Sequence, residues 1–251
     1  MDPAYEKKYY RIERSHAWSV GRRDLVLSML SRLGVPRDAQ ILDVGCGGGL
    51  LVEQLTAEGF RDVRGVDAAP GAVDAARRQG IDGVSLGDGC ATGFDDATFD
   101  VVIASDVLEH ILDEGRALHE WQRIVRPGGL VLVYVPAFSF LWSEHDVVNR
   151  HFRRYSRSQL QSVVLGAGFA LERIGYWNTA LFTPTLLVRM AARVRVKGRA
   201  LEQGDDFLEL NPLTNAVVKG LLLAENGLIS AGVDPPIGVS VYAVCRRPTD
   251  A

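Results

Sequence analysis

The chain has 251 residues, 47% hydrophobic and 24% charged, with a formal net charge of -3, which fits a soluble α/β protein and argues against binding nucleic acid by bulk electrostatics. Its three cysteines, Cys46, Cys90 and Cys245, are far apart and match neither a disulfide framework nor a zinc-ligand spacing, so a reducing cytoplasm is the expected compartment.

The first residues, MDPAYEKKYYRIERSH, are charged and aromatic and contain no apolar signal core. Asp24 to Leu33 has apolar residues at helical spacing and stops at Gly34 and Pro36. Short apolar strands then alternate with helices. QILDV (40–44) is followed by a helix from Leu50 to Gly59, and DVRGVD (62–67) by a helix after Pro70. GVSL (83–86) and FDVVIAS (99–105) come next, then a helix over EGRALHEWQRIV stopped by Pro127, and LVLVYV (130–135) ended by Pro136. This alternation predicts a mostly parallel sheet with helices on both faces.

After Pro136 the rhythm breaks. Ser156 to Gly168 reads as a helix with Ser156 as N-cap, FALERIGYW as a strand, 178–197 and 212–230 as helical stretches, and GVSVYAVCRR as a final strand. Two late strands joined by a long connection suit an antiparallel hairpin at one sheet edge. The polar segment 196–206 reads as an exposed loop. The most apolar run, Thr179 to Val188, contains Pro184 and is followed by Arg189, so no transmembrane segment is expected.

The stretch ILDVGCGGGL carries the first chemistry. Gly45, Gly47 and Gly49 form a turn between a strand and a helix, where glycine permits positive φ and close backbone approach to a ligand. Asp67 ends the next strand, where a carboxylate can accept both ribose hydroxyls. A dinucleotide fingerprint needs a third glycine where Leu50 stands. Asp43, two residues before the first glycine, would repel a pyrophosphate but suits a cationic sulfonium with an amino group. The pattern therefore favours S-adenosylmethionine over a nicotinamide cofactor.

LDVGCGGG, GVD, GDGCATGFDDATFDVVIASDVLEHI and RIVRPGGLVLVYVPA occur in order over about residues 38–176. Together they resemble the successive motifs of class I S-adenosylmethionine-dependent methyltransferases. The resemblance implies a doubly wound seven-stranded sheet of order 3-2-1-4-5-7-6 with the last strand antiparallel. It implies that Gly45, Cys46 and Gly47 line the methionine moiety, with Asp43 near its ammonium. Asp67 would hold the ribose, and Ala68 joins the cofactor-binding positions. Asp88 would take the adenine amino group, with the backbone of Gly89 and Cys90 beside it, and Ser105 would face the sulfonium. Plainer roles stand beside these: Asp67 as a helix cap, Asp88 as a turn aspartate, Cys46 and Cys90 as small packing residues.

YYRIERSHAWSVGRR resembles the helical cover of these enzymes, so residues 1–37 are read as a cover in which His16, Trp18 and Arg22 close over the cofactor. Residues 38–251 form the methyltransferase domain, with a helical lid or insert at about 178–232. Its apolar stretches suit a lid, a dimer surface, an acceptor pocket or peripheral membrane contact, and the chain is read as a monomer or homodimer.

Ligands bind beyond the carboxyl ends of strands in open α/β sheets. SDVLEHI puts Asp106, Glu109 and His110 there, with His110 a candidate base. HDVVNRHFRRYS, at the same rim, adds His145 and His151 as further candidates. Their six-residue spacing suits neither one helix face nor a tight chelate, so no metal is expected. Arg153, Arg154 and Tyr155 are read as acceptor-binding, with bracing of the loop as the alternative. The activity expected is methylation of a small molecule or modified peptide, at a hydroxyl or carboxylate oxygen. An N-methyltransferase, a non-catalytic nucleotide-binding scaffold and an NAD-dependent oxidoreductase are the alternatives.

Overall fold

The structure, a computed structural model, describes residues 12–195 and 210–249. The expected loop at 196–206 and the first residues of the expected cover lie outside the described residues. Helix α1 (Ala17–Arg32) leads into β1 (Gln40–Val44), α2 (Leu50–Ala57), β2 (Asp62–Asp67), α3 (Pro70–Arg78), β3 (Val84–Leu86) and β4 (Phe99–Ser105). There follow α4 (Glu114–Ile124), β5 (Val125–Pro136), α5 (Glu144–Val148), α6 (Arg157–Gly166) and β6 (Ala170–Trp177). Helices α7 (Phe182–Arg195) and α8 (Pro212–Ser230) precede the closing β7 (Ser240–Arg246). The strands form one sheet of order β3-β2-β1-β4-β5-β7-β6. The first five are parallel, and β7 runs antiparallel to both β5 and β6.

Both faces of this sheet are covered, which is why its central strands carry near-continuous apolar runs such as Val101–Ala104 and Leu130–Val135. Successive residues still serve opposite faces. Val102, Ala104, Val131 and Val133 pack with Leu118, Trp121 and Leu160 of α4 and α6. Val101, Ile103, Leu130 and Leu132 pack with Leu25 and Met29 of α1, Leu55 of α2 and Leu222 of α8. Each such buried side chain contributes about 1.5–3 kcal/mol.

Two boundaries differ from the sequence reading. Helix α4 ends at Ile124, and β5 begins at Val125 rather than Leu130. A register shift in its pairing with β4, between Phe99 and Val101, carries the strand through Pro127-Gly128-Gly129. A side chain at Gly129 would meet the Asp100 carbonyl at 2.9 Å. Helix α1 starts at Ala17 instead of Asp24, because tertiary contacts extend it. The Ala17 amide donates to Asn215 Oδ1 at 2.8 Å, and the Asn226 amide of α8 donates to the Gly21 carbonyl at 2.8 Å. Gly21 permits the close crossing, since a Cβ there would lie 2.9 Å from Leu222. Among the described residues no helix is long and apolar enough to cross a membrane.

Candidate active site

A cavity of about 1420 Å³ opens beyond the carboxyl ends of β1 to β5. One end is the glycine turn. Gly45 and Gly47 take positive φ, 68° and 54°, which a side chain there would strain. A Cβ on Gly45 would come within 2.2 Å of Val107 Cγ2, so nothing larger than glycine fits the cradle. Asp67, at the end of β2, accepts the Gly47 amide at 2.9 Å and the Ala69 amide at 2.8 Å. It thus ties the turn to the entry of α3 while lining the cavity.

Asp43 is buried beneath this turn. Burial, then the charges of Asp67 and Glu13, push its carboxyl well above the usual range. Such a site lacks positive charge and suits a cationic ligand. Beyond β3, Asp88 closes a turn by accepting the Cys90 amide at 2.8 Å, and Trp121 Nε1 donates to the Gly89 carbonyl at 2.9 Å. Cys46 packs against β2: a Cβ on Gly65 would stand 2.7 Å from its Sγ. Burial also pushes its thiol far up, which leaves it inert as a nucleophile.

Arg22 reaches from α1 to the sheet rim. Its guanidinium donates to Ser105 Oγ at 3.0 Å and Ser240 Oγ at 3.1 Å, and pairs with Asp106 at 3.2 Å. The rings of Trp177, Tyr134 and Trp18 surround it, with centroids 4.6, 5.1 and 5.6 Å away. Asp106, at positive φ of 55°, is a strained non-glycine residue immediately after β4.

The cavity's other pole is polar. Glu109 and His110 come from a short 3-10 turn after β4, and His151 from the loop after α5. The His110 and His151 rings meet edge-on with centroids 4.5 Å apart. Burial pushes His110 and His145 down to about 4, so both are neutral near pH 7. His151 Nδ1 lies 2.8 Å from Asp146 Oδ1, which also accepts Arg154 Nε at 2.7 Å. Asp146 Oδ2 accepts the Ser143 amide at 2.8 Å. Burial alone would raise the Asp146 carboxyl, but the His151 hydrogen bond and the Arg154 charge outweigh it and hold it well below the usual range.

The structure brings sixteen of the eighteen predicted site residues to this cavity: Trp18, Arg22, Asp43, Gly45, Cys46, Gly47, Asp67, Ala68, Asp88, Gly89, Cys90, Ser105, His110, His145, His151 and Arg154. Arg153 and Tyr155 do not line it. Arg153 pairs with Glu114 at 2.8 Å and donates to the Leu112 carbonyl, and the buried Tyr155 hydroxyl donates to Glu114. Both brace the loop against α4, the alternative left open by the sequence. By their spacing in sequence, His145 and His151 make no tight chelate. Folding instead collects Glu109, His110 and His151, with donor atoms within 4.8 Å of one another. Asp146 was missed, although Ser143 and Asp146 form a capping box at the start of α5.

Residues 42–133 match the family model described as a methyltransferase domain. The chain is 39% identical over 123 residues to the ubiquinone biosynthesis O-methyltransferase of Methylocella silvestris, covering 43% of this chain and 48% of that protein. It thus spans about half the length of the curated relatives it matches. By fold it is similar to phosphoethanolamine N-methyltransferase 2 of Haemonchus contortus, solved with S-adenosyl-L-methionine. That likeness has a TM-score of 0.57 and 22% identity over 88% of this chain and 52% of that one. The [4+2]-cyclase SpnF is equally similar, with a TM-score of 0.57 and 20% identity over 90% of this chain and 81% of that one. At such identities the likeness concerns the fold alone, and a cyclase among the neighbours shows that fold does not fix the reaction. The family match, the strand order and the glycine turn agree: residues 42–133 carry a methyltransferase domain, set in a sheet with the strand order of class I S-adenosylmethionine-dependent methyltransferases.

Proposed function

We propose that the chain transfers a methyl group from S-adenosylmethionine to an oxygen of a small acceptor with an apolar body. The observation that carries this reading is one cavity joining the glycine turn to the Glu109, His110 and His151 pole. The same cavity has an apolar wall that includes Leu181, Val188 and Val218. Relatives named ubiquinone biosynthesis O-methyltransferase support an oxygen acceptor.

When bound, S-adenosylmethionine supplies a sulfonium methyl whose C–S bond breaks as the acceptor C–O bond forms, releasing a neutral thioether. Gly45 and Gly47 let the backbone approach the methionine moiety, and Asp43 offers its buried carboxylate to the ammonium. Asp67, with Ala68 beside it, retains lone pairs for the ribose hydroxyls. Asp88, Gly89 and Cys90 receive the adenine. Trp18 and Arg22 close the cavity from α1 and exclude water, with Arg22 fixing Ser105 at the strand end. The acceptor's hydroxyl lies at the polar pole, where Asp146 Oδ1, bonded to His151 Nδ1, fixes the imidazole ring, and the hydroxyl proton leaves to solvent as the C–O bond forms. Arg154 acts on the acceptor indirectly, by fixing Asp146.

Incubation with S-adenosylmethionine and a panel of phenols, catechols, hydroxy acids and amines tests this reading, with mass spectrometry reporting a gain of about 14 daltons. Gain on oxygen acceptors is expected; gain on amines alone would replace this reading with N-methylation.

A further inference from the structure

We infer that Glu109, His110 and His151 form a binding site for a divalent transition-metal ion at the acceptor pole of the cavity. Each offers one ligand atom, a carboxylate oxygen and two imidazole nitrogens, and these lie within 4.8 Å of one another. All three line the cavity. Four-coordinate ligation at about 2.0–2.1 Å places donors roughly 3.3 Å apart, so the side chains need draw in by about 1.5 Å at most.

Glu109 gives the independent sign of a ligand. It is 1% exposed, and its Oε2 is buried with no hydrogen-bond partner. A buried carboxyl oxygen left unmatched is costly, and a cation that takes the place of a proton removes the cost. His151 carries the second sign. Its Nδ1 is bonded to the fully buried Asp146, which fixes the ring and leaves Nε2 with a lone pair. A carboxylate behind a histidine is the outer-shell arrangement of metal-ligating imidazoles. Asp146 is itself held by Arg154 and the Ser143 amide, so the ring's support is rigid. The Phe152 amide donates to the Glu109 carbonyl at 2.8 Å, fastening the loop that carries His151 to the turn that carries the other two ligands.

The donor set selects the ion. Two imidazoles and one carboxylate suit Zn²⁺, Co²⁺ or Fe²⁺ better than Mg²⁺ or Ca²⁺, which prefer oxygen ligands. Three protein ligands leave a coordination position open on the cavity side. An ion there lowers the proton affinity of an acceptor hydroxyl that coordinates it, so the proton can leave to solvent. That consequence rests on the methyl-transfer reading; the binding site itself does not.

Metal-free full-length protein titrated with Zn²⁺ by calorimetry, and with Co²⁺ by visible absorption, tests the site without cofactor or acceptor. One equivalent is expected to bind saturably, with absorption of nitrogen-ligated cobalt. Glu109→Gln and His110→Ala should abolish saturable binding, and Asp146→Asn should weaken it about 10- to 100-fold. His119→Ala, an exposed histidine outside the cavity, should bind as the parent does. Absence of saturable binding, or binding unchanged in folded Glu109→Gln protein, would overturn the proposal. S-adenosylmethionine binding measured in parallel separates the two readings. Metal without cofactor binding sinks only methyl transfer, and cofactor without metal binding sinks only the metal site.

Discussion

Asp67 accepts the Gly47 amide at 2.9 Å, so the carboxylate at the end of β2 shapes the glycine turn after β1. Its other oxygen accepts the Ala69 amide. Asp67 is therefore not the cap of α3, whose N-cap is Ala69; it braces the turn that leads into that helix. Hydrogen bonds to charged groups contribute about 1.5–3 kcal/mol. Asp67→Ala should weaken S-adenosylmethionine binding by roughly 10- to 100-fold. Asp67→Asn, which keeps one acceptor oxygen, should lose less. Calorimetric titration of both variants measures the difference, and wild-type affinity in Asp67→Ala would refute the role.

Gly45 makes a sharper test of the cradle. Gly45→Ala combines a strained φ of 68° with a 2.2 Å approach to Val107 Cγ2. Gly34→Ala, at φ of 67° with nothing within 4 Å, carries the strain alone. Strain costs about 1–2 kcal/mol and overpacking about 1–3 kcal/mol more. Denaturant midpoints should therefore fall further for Gly45→Ala, and Val107→Ala in the same chain should recover part of the gap. Equal losses at the two glycines would show that Val107 yields without cost.

The buried Asp43 makes cofactor binding pH-dependent. Its carboxyl is held well above the usual range by burial first, then by Asp67 and Glu13. A raised folded-state value stabilises the fold fully below the unfolded value of about 3.9, and that contribution fades as pH rises through the folded value. A cationic ligand favours the carboxylate, so it offsets the loss. The rise in melting temperature on adding S-adenosylmethionine should grow with pH across that window, with proton release on binding. Asp43→Asn should flatten the dependence. Calorimetry in buffers of differing ionisation enthalpy counts the proton, and a pH-independent shift in the parent would argue against Asp43 as the partner.

The sheet was legible because burial on two faces leaves a plain trace: unbroken apolar strands such as Val101 to Ala104, alternating with helices. The glycine turn was legible because Gly45 and Gly47 need conformations that few other residues adopt. The polar pole was not. Glu109 and His110 stand far from His151 in sequence, and only the loop crossing marked by the Phe152 amide and the Glu109 carbonyl joins them. For Arg153 and Arg154 the sequence could not say which side chain faces the cavity, since adjacent residues in an irregular loop obey no fixed period. Helix α1 was read too short because its first turn, at Ala17, is held by Asn215 from the opposite end of the chain.

Asp146 and Arg154 form a buried ion pair, at 0% and 3% side-chain exposure and 2.7 Å apart. Removing one partner leaves the other charged and uncompensated, a loss of about 3–5 kcal/mol. Asp146→Asn should therefore destabilise the fold even though it keeps the size of the side chain. Because the Asp146 carboxyl is depressed in the fold, its stabilisation is present above the unfolded value of about 3.9 and is lost as pH falls toward the lower folded value. Acid should erode the parent's advantage over Asp146→Asn through that window, bringing the two stability curves together. Arg154→Met, which removes the opposing charge, should in turn lessen the damage done by Asp146→Asn in the double variant. Denaturant unfolding of the four proteins from pH 3 to 7 gives the coupling energy directly. Strictly additive losses would show that the pair is not a unit, and that His151 and the Ser143 amide secure Asp146 without Arg154.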